Sequence, residues 1–287
     1  MPGTFSDSWK LTKTAFGLIA DDRALLVFPL VGGLSILGVL ALFLLGAFWL
    51  FPHFSGPSAS TYEALALVLF LATYFGTSFV SVYATAALIG AATLKLEGRQ
   101  PTAADGWRVA RSRLGRLVVW SVITATVGLL IQLIASRVQG IGGAVIGLAG
   151  GAAWSVVTYF MIPVVLYENA TTWASLKRSG HLFVSTFGRS LISNLVVGLF
   201  VGAGIVAAVV LGILGLFELS GGATALGFLL LGGAIAVGTV VALIGAAAEG
   251  ILRAALYRYA TTGKIDPDLL PSAYRLGGPP ATDAPLA

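Results

Sequence analysis

Proton-transfer or nucleophilic chemistry in this chain would have to come from two histidines, His53 and His181, and from 12 acidic residues, because cysteine is absent. His53 lies beside Pro52 and His181 sits in a basic stretch. Neither has a carboxylate and a nucleophile at the spacing that a general base and its partner need. No HExxH pair, phosphate-binding loop or dinucleotide-binding glycine run occurs, and the glycines interrupt apolar runs instead of joining a strand to a helix. Metal ligation needs several donors gathered in a cluster, which the sequence does not supply. Without thiols, cysteine catalysis, thiolate-bound zinc, iron–sulfur clusters and internal disulfides are excluded. The expectation is a protein that is not an enzyme and carries no cofactor or metal.

The denser chemistry is cationic. Arg108, Arg111, Arg113 and Arg116 follow one another closely, and Lys177, Arg178 and Arg189 form a second basic group. Beside an anionic leaflet each such group contributes on the order of 1 kcal/mol, so together they make a phosphate-attracting rim. They also signal topology, and both readings stand. Two ion pairs with a structural role are expected, Glu168 with Lys177 or Arg178, and Glu249 with Arg253 one turn further along a helix. The polar positions Thr73, Thr77, Ser78, Ser81, Thr85, Gln132 and Asn194 either line a pathway or bond to neighbouring helices.

The elements that must position these groups follow from composition. Hydrophobic residues make up 57% of the 287 positions and charged residues 10%, where a soluble domain carries about 25% charge. Such a chain cannot coat a globule with polar groups, which excludes soluble enzymes, disordered tails and disulfide scaffolds as descriptions of the whole. Uncharged runs of about 18 residues or more are long enough to cross hydrocarbon as helices. Six occur: Ala24 to Phe51, Ala64 to Leu94, Leu117 to Ser136, Ile141 to Tyr167, Ser190 to Phe217 and Ala223 to Ala248. The first is too long for a cleavable signal peptide and lacks a small-residue cleavage site, so it should remain in the mature protein.

With a cytoplasmic N-terminus, every Lys and Arg of the 17 except Arg137 falls on the inside. The expectation is a multi-pass protein of the cell membrane with both termini cytoplasmic. The net charge of +5 then reports topology and implies no nucleic acid, since no basic helix with groove-reading geometry accompanies it.

The inside segments share a pattern. Phe5, Trp9, Thr12, Phe16 and Ile19 make one helical stripe, Ala103, Trp107, Ala110 and Leu114 a second, and Trp173, Leu176, Gly180, Phe183 and Phe187 a third. Basic residues lie off each stripe, as in helices lying in a headgroup plane. Thr4, Thr102 and Thr172 are the expected N-caps. The fold class read from this is all-α, a bundle of six transmembrane helices in three hairpins at about 24–96, 114–167 and 190–257, each hairpin preceded by an interfacial amphipathic helix. Residues 1–260 form one domain, and 261–287 make a Pro-rich cytoplasmic tail, disordered in its last part.

Glycine supplies 37 residues, nearly twice the average usage of about 7%. Gly143, Gly147 and Gly151 repeat on one face of the fourth run, and Gly198 and Gly202 on the fifth. Such faces let helix backbones approach, within the chain or against a second copy or membrane partner.

Two stretches carry a resemblance. The run from Tyr159, YFMIPVVLYENATTWASLKRSGHLFVSTFG, contains Pro163, Glu168, Lys177, Arg178 and Ser179. The run from Ala254, AALYRYATTGKIDPDLLPSAYR, contains Leu256, Tyr257, Tyr259 and Ala260. With SDSWKLTKTAF and DDRALLVFPLV near the N-terminus, they resemble an uncharacterised prokaryotic family of six-helix membrane proteins. That family is similar to the membrane domain attached to some glycerophosphoryl diester phosphodiesterases. The resemblance implies a membrane protein of unknown activity. No water-soluble phosphodiesterase domain is expected within these 287 residues, so that catalysis does not transfer. The function expected is an accessory or scaffold protein contacting anionic lipid headgroups and a membrane partner; the alternative is a transporter or lipid-handling permease with a pathway along the Thr and Ser rows.

Overall fold

The computed structural model describes residues 23–50, 59–138, 140–187, 192–221 and 224–262. Every regular element among them is helical. A short 3-10 turn, Arg23–Leu26, leads into α1 (Val27–Leu50). It is followed by α2 (Ala59–Leu96), α3 (Ala103–Ser112), α4 (Leu114–Ser136), α5 (Ile141–Thr158), α6 (Met161–Tyr167), α7 (Thr172–Phe187), α8 (Ile192–Ser220) and α9 (Thr224–Thr262).

Six stretches are long and apolar enough to cross a membrane: Ala24–Leu50, Ser60–Leu96, Leu114–Ser136, Ile141–Tyr167, Val201–Ser220 and Thr224–Thr262. At about 1.5 Å per residue the 23 residues of α4 reach beyond the roughly 30 Å of hydrocarbon. Large apolar side chains cover their outer faces, with Leu42, Phe48, Ile141, Leu148 and Leu229 all well exposed. Water would penalise such a surface, and lipid does not. The longest helices, α2 and α9, run for 38 and 39 residues; α2 has Glu63 near its start and Lys95 in its last turn, and α9 carries Glu249, Arg253 and Arg258 toward its end.

The chain divides into two compact units. In the unit Val27–Phe183, α1 packs on α2 and α4 on α5, while α2 also meets α3, α4 and α6. The C-terminal half of α2 explains this centrality. Ala84, Ala86, Ala87, Ala91 and Ala92 are buried there, and their small side chains admit neighbours at short range. Gly106 of α3 sits so close that a Cβ would lie 2.5 Å from the Phe28 ring and 2.6 Å from the Ala87 carbonyl oxygen. Gly98 (φ +79°) ends α2 in the left-handed conformation. The Arg99 and Gly98 N–H groups then donate back to the carbonyls of Leu94 and Lys95 at 3.1 and 2.9 Å, which satisfies the last turn of the helix.

The start of α3 is a capping box. The Asp105 N–H donates to Thr102 Oγ1 at 3.3 Å, and the Thr102 N–H donates to the Asp105 carboxylate at 2.9 Å. Its stripe differs from the expected one. Gly106 and Ala110 are buried, Trp107 lies 5.4 Å from the Phe28 ring and 5.3 Å from that of Tyr83, and Leu114 is 40% exposed. The tryptophan face is turned to protein because the small residues of α2 leave room for it.

The other unit joins Met1–Leu26 to Val184–Ala287. Here α8 and α9 pack along their lengths, and the 3-10 turn lies against α9. Cβ atoms at Gly204, Gly215, Gly227 and Gly245 would come within 2.6–2.9 Å of Val241, Leu231, Leu219 and Val201 side chains, so these glycines set the helix spacing. The first amphipathic stripe with Thr4, the start of the third hairpin, Arg189, His53 and the Pro-rich tail lie outside the described residues.

Candidate functional site

Pro163 organises the most polar assembly in the unit Val27–Phe183. Its ring cannot share a continuous helix with the carbonyl four residues back, and the fourth span is interrupted at Tyr159–Phe160, between α5 and α6. Pro163 itself falls in the first turn of α6, where its missing N–H leaves no bond unmade. A bend in one helix is the milder outcome; here the helix stops and restarts.

The interruption orphans two backbone groups, and one side chain takes both. Ser179 of α7 accepts a hydrogen bond from the Phe160 N–H at 3.1 Å and donates its own proton to the Val157 carbonyl at 2.7 Å. Ser179 and Phe160 have no exposed surface. The buried face of α7 is therefore Ser175, Ser179, Leu182 and Phe183, whereas Trp173, expected on the apolar stripe, is 66% exposed. The N-terminal hydroxyl of α7 also differs from expectation. Thr171 accepts the Ala174 N–H, and its carbonyl accepts that of Ser175, so the capping position is one residue before Thr172.

Beyond α6 the chain is held by arginines. Arg113, at the junction of α3 and α4, donates Nε–H to the Leu166 carbonyl at 3.2 Å and Nη1–H to Asn169 Oδ1 at 2.9 Å. Arg116 donates to the Glu168 carbonyl at 2.9 Å. These are the carbonyls a helix leaves unpaired at its C-terminus, where a cation is also favoured by the helix dipole. Arg178 of α7 pairs with Glu168, Nε to Oε1 3.5 Å, with both side chains partly exposed; at that exposure the pair contributes at most about 1 kcal/mol. Of the two partners expected for Glu168, Arg178 is the one brought into range.

Arg108, Arg111 and Lys177 face outward. Arg108 pairs with Asp105 at 2.7 Å while 77% of its side chain stays exposed. Arg111 is exposed and makes no ion pair with a described residue. Lys177 lies 5.7 Å from the centre of the exposed Trp173 ring, a cation–π geometry. The Asp105 carboxyl is held below its ordinary 3.8, first by the Thr102 side-chain and backbone hydrogen bonds and then by Arg108. In the other unit Glu249 pairs with Arg253.

The glycine faces are rearranged. On α5, Gly143 lies against the Ala135 carbonyl (2.6 Å from its Cβ position), Gly147 at ordinary distance from Ala135, and Gly150 against Ile131 at 3.1 Å; Gly151 has open space. Gly202 of α8 is likewise open, and the surroundings of Gly198 lie outside the described residues. The packed face of α5 thus follows 143, 147 and 150, the i, i+4, i+7 path of a helix.

What this assembly does is hold backbone, through Arg113 and Arg116 on the carbonyls and Ser179 across the gap. Among the described residues no three His, Asp or Glu side chains gather, and His181 is exposed on α7.

Six apolar helices with basic residues gathered at their ends define a multi-pass helical membrane protein. The chain belongs to DUF6159, a family of unknown function, whose sequence model matches residues 63–266, from the second turn of α2 past the end of α9. No curated protein and no solved structure matches it.

Proposed function

We propose that this protein is a non-enzymatic accessory or scaffold protein of the cell membrane, whose basic end takes up anionic lipid headgroups at the cytoplasmic leaflet. The observation that carries this reading is the division of the cations. Arg113, Arg116 and Arg178 are engaged with the α6–α7 loop, while Arg111 and the Lys177–Trp173 pair stand on the outer faces of α3 and α7. Tryptophan and lysine side by side suit the headgroup level, where an amphipathic ring and a cation are both solvated. Three exposed cations, Arg108, Arg111 and Lys177, contribute on the order of 1 kcal/mol each beside an anionic leaflet. The open glycine positions leave room for a second copy or another membrane protein.

Two further observations favour binding over catalysis or transport. Asp105, Glu168 and Glu249 are each paired with an arginine. The hydroxyls of Thr73, Thr77, Thr85, Thr126 and Thr158 donate to carbonyls of their own helices, and Ser78 donates to the Ser121 carbonyl of the neighbouring one. Rows bonded in this way need no solvated pathway.

The test is retention of anionic lipid in mild detergent. The variant carrying Arg111→Ala and Lys177→Ala should copurify with less phosphatidylglycerol than the wild type, and equal retention would overturn the reading. Orientation is directly accessible because the chain has no cysteine. Single replacements Arg111→Cys and Arg137→Cys should react with an impermeant maleimide from opposite sides of the membrane.

A further inference from the structure

The last turns of α9 hold a cation whose donors are not all used. Between Thr224 and Thr262 the charged residues are Glu249, Arg253 and Arg258. Glu249 is paired with Arg253, which leaves Arg258 without a carboxylate on its own helix. The Nη1 nitrogen of Arg258 is buried and has no hydrogen-bond acceptor, although the residue as a whole keeps some exposed surface. Its neighbours Leu256, Tyr257 and Ala260 are buried. A position near a helix C-terminus suits a cation through the dipole, but the dipole accepts no hydrogen bond. The nearby carbonyls are occupied too, since Thr261 donates to the Tyr257 carbonyl and Thr262 to that of Arg258 itself.

A guanidinium N–H out of water and without an acceptor is costly to leave unmade. The ligand that repairs it must reach Arg258 from its exposed side, accept from a planar fork and carry negative charge, as a tetrahedral oxyanion does. We infer that Arg258 is the centre of a discrete phosphate-binding site at the end of α9. It uses neither Arg111 nor Lys177 and fills with one phosphate group, that of a lipid headgroup or free phosphate.

The measurement is thermal unfolding of the full chain in detergent micelles titrated with phosphatidylglycerol, with dioleoylglycerol, which lacks phosphate, or with inorganic phosphate in the buffer. A saturable rise in Tm with phosphatidylglycerol, absent with dioleoylglycerol, is expected; a rise with inorganic phosphate as well assigns free phosphate, and its absence assigns the lipid. Arg258→Gln should weaken the half-saturating concentration about tenfold or more, and Arg258→Lys, which keeps the charge but not the fork, should fall between. If Arg258→Gln does not fold, Arg258→Lys alone decides. The inference is overturned by equal rises with both lipids, by no rise with either phosphate source, or by a titration unchanged in the Arg258 variants. The Arg111→Ala, Lys177→Ala variant separates the two proposals. It should keep this saturable rise while losing bulk lipid retention, and a rise lost there but kept in Arg258→Gln overturns the assignment to Arg258 and leaves the headgroup surface standing.

Discussion

Replacing Ser179 by alanine isolates the bond that spans the interrupted fourth helix. The substitution removes one oxygen, leaves the methylene packed, and deprives two backbone groups at once. The Phe160 N–H, in a residue with no exposed surface, loses its acceptor at 3.1 Å, and an unsatisfied buried donor costs about 1–3 kcal/mol. The Val157 carbonyl loses a donor at 2.7 Å, which adds about 0.5–1.5 kcal/mol. The sum expected is about 1.5–4.5 kcal/mol of destabilisation, read by unfolding in detergent and, locally, by faster amide exchange at Phe160. Because the need for the bridge arises from Pro163, the two residues are coupled. In a Pro163→Ala background the helix regains an N–H and can close across Tyr159, so the same serine substitution should cost only about 1 kcal/mol. A Ser179→Ala variant within about 0.5 kcal/mol of wild type, with Phe160 exchange unchanged, would refute the reasoning, as would additive behaviour of the double variant.

Three other outcomes follow from the same geometry. Gly106→Ala places a methyl group against the Phe28 ring and the Ala87 carbonyl and should cost about 1–3 kcal/mol or more; Gly151→Ala, in open space, should be neutral or stabilise by about 0.5–1 kcal/mol. Arg113→Ala and Arg116→Ala strip donors from the Leu166 and Glu168 carbonyls and should each lower stability by about 1–2 kcal/mol, whereas Arg111→Ala should stay within about 0.5 kcal/mol while reducing lipid retention. The Asp105 carboxyl is held below 3.8, so its contribution to the start of α3 is fully present above that value and lost as the pH falls through the lowered one. Amide exchange in α3 should therefore accelerate only in acid, and Asp105→Asn should abolish that dependence.

The six spans were legible because an uncharged apolar run of sufficient length admits one solution in lipid, a helix that satisfies its own backbone. The break in the fourth span was legible in part, since Pro163 announces a disturbance but not that the helix will stop two residues before α6 begins. The buried face of α7 was not legible from hydropathy. In a membrane protein apolar character no longer marks the inside: the expected stripe runs through Trp173, Leu176, Gly180, Phe183 and Phe187, whereas the residues buried against protein are Ser175, Ser179, Leu182 and Phe183. A pair of serines one turn apart, beside a proline-interrupted span, was the available signal. The glycine faces were legible only in part, for a related reason. Spacing along one helix shows where a backbone can be approached, but which positions are approached depends on register with another helix, which brought Gly150 in and left Gly151 outside. Apart from Asn169 Oδ1, the acceptors of Arg113 and Arg116 are main-chain carbonyls, which have no side-chain signature at all.

That last point bears on how a basic cluster works. Four arginines within α3 and the start of α4 look equivalent in sequence, yet a guanidinium whose donors are fixed on carbonyls cannot also grip a phosphate with the same N–H groups. The inner pair, Arg113 and Arg116, fastens the α3–α4 junction to residues 166–169, and Arg178 fastens α7 to Glu168 in the same loop. The outer cations ride on helices anchored in this way: Arg111 on α3 and Lys177 on α7. On the proposed reading, a headgroup taken up at either place would bear on one shared anchor, and α7 also carries Ser179, which closes the gap in the fourth span. The anchoring of α3 and α7 and the continuity of the fourth span are then two consequences of a single polar junction. Substitutions in the inner set should disturb both, and substitutions in the outer set should disturb lipid contact alone.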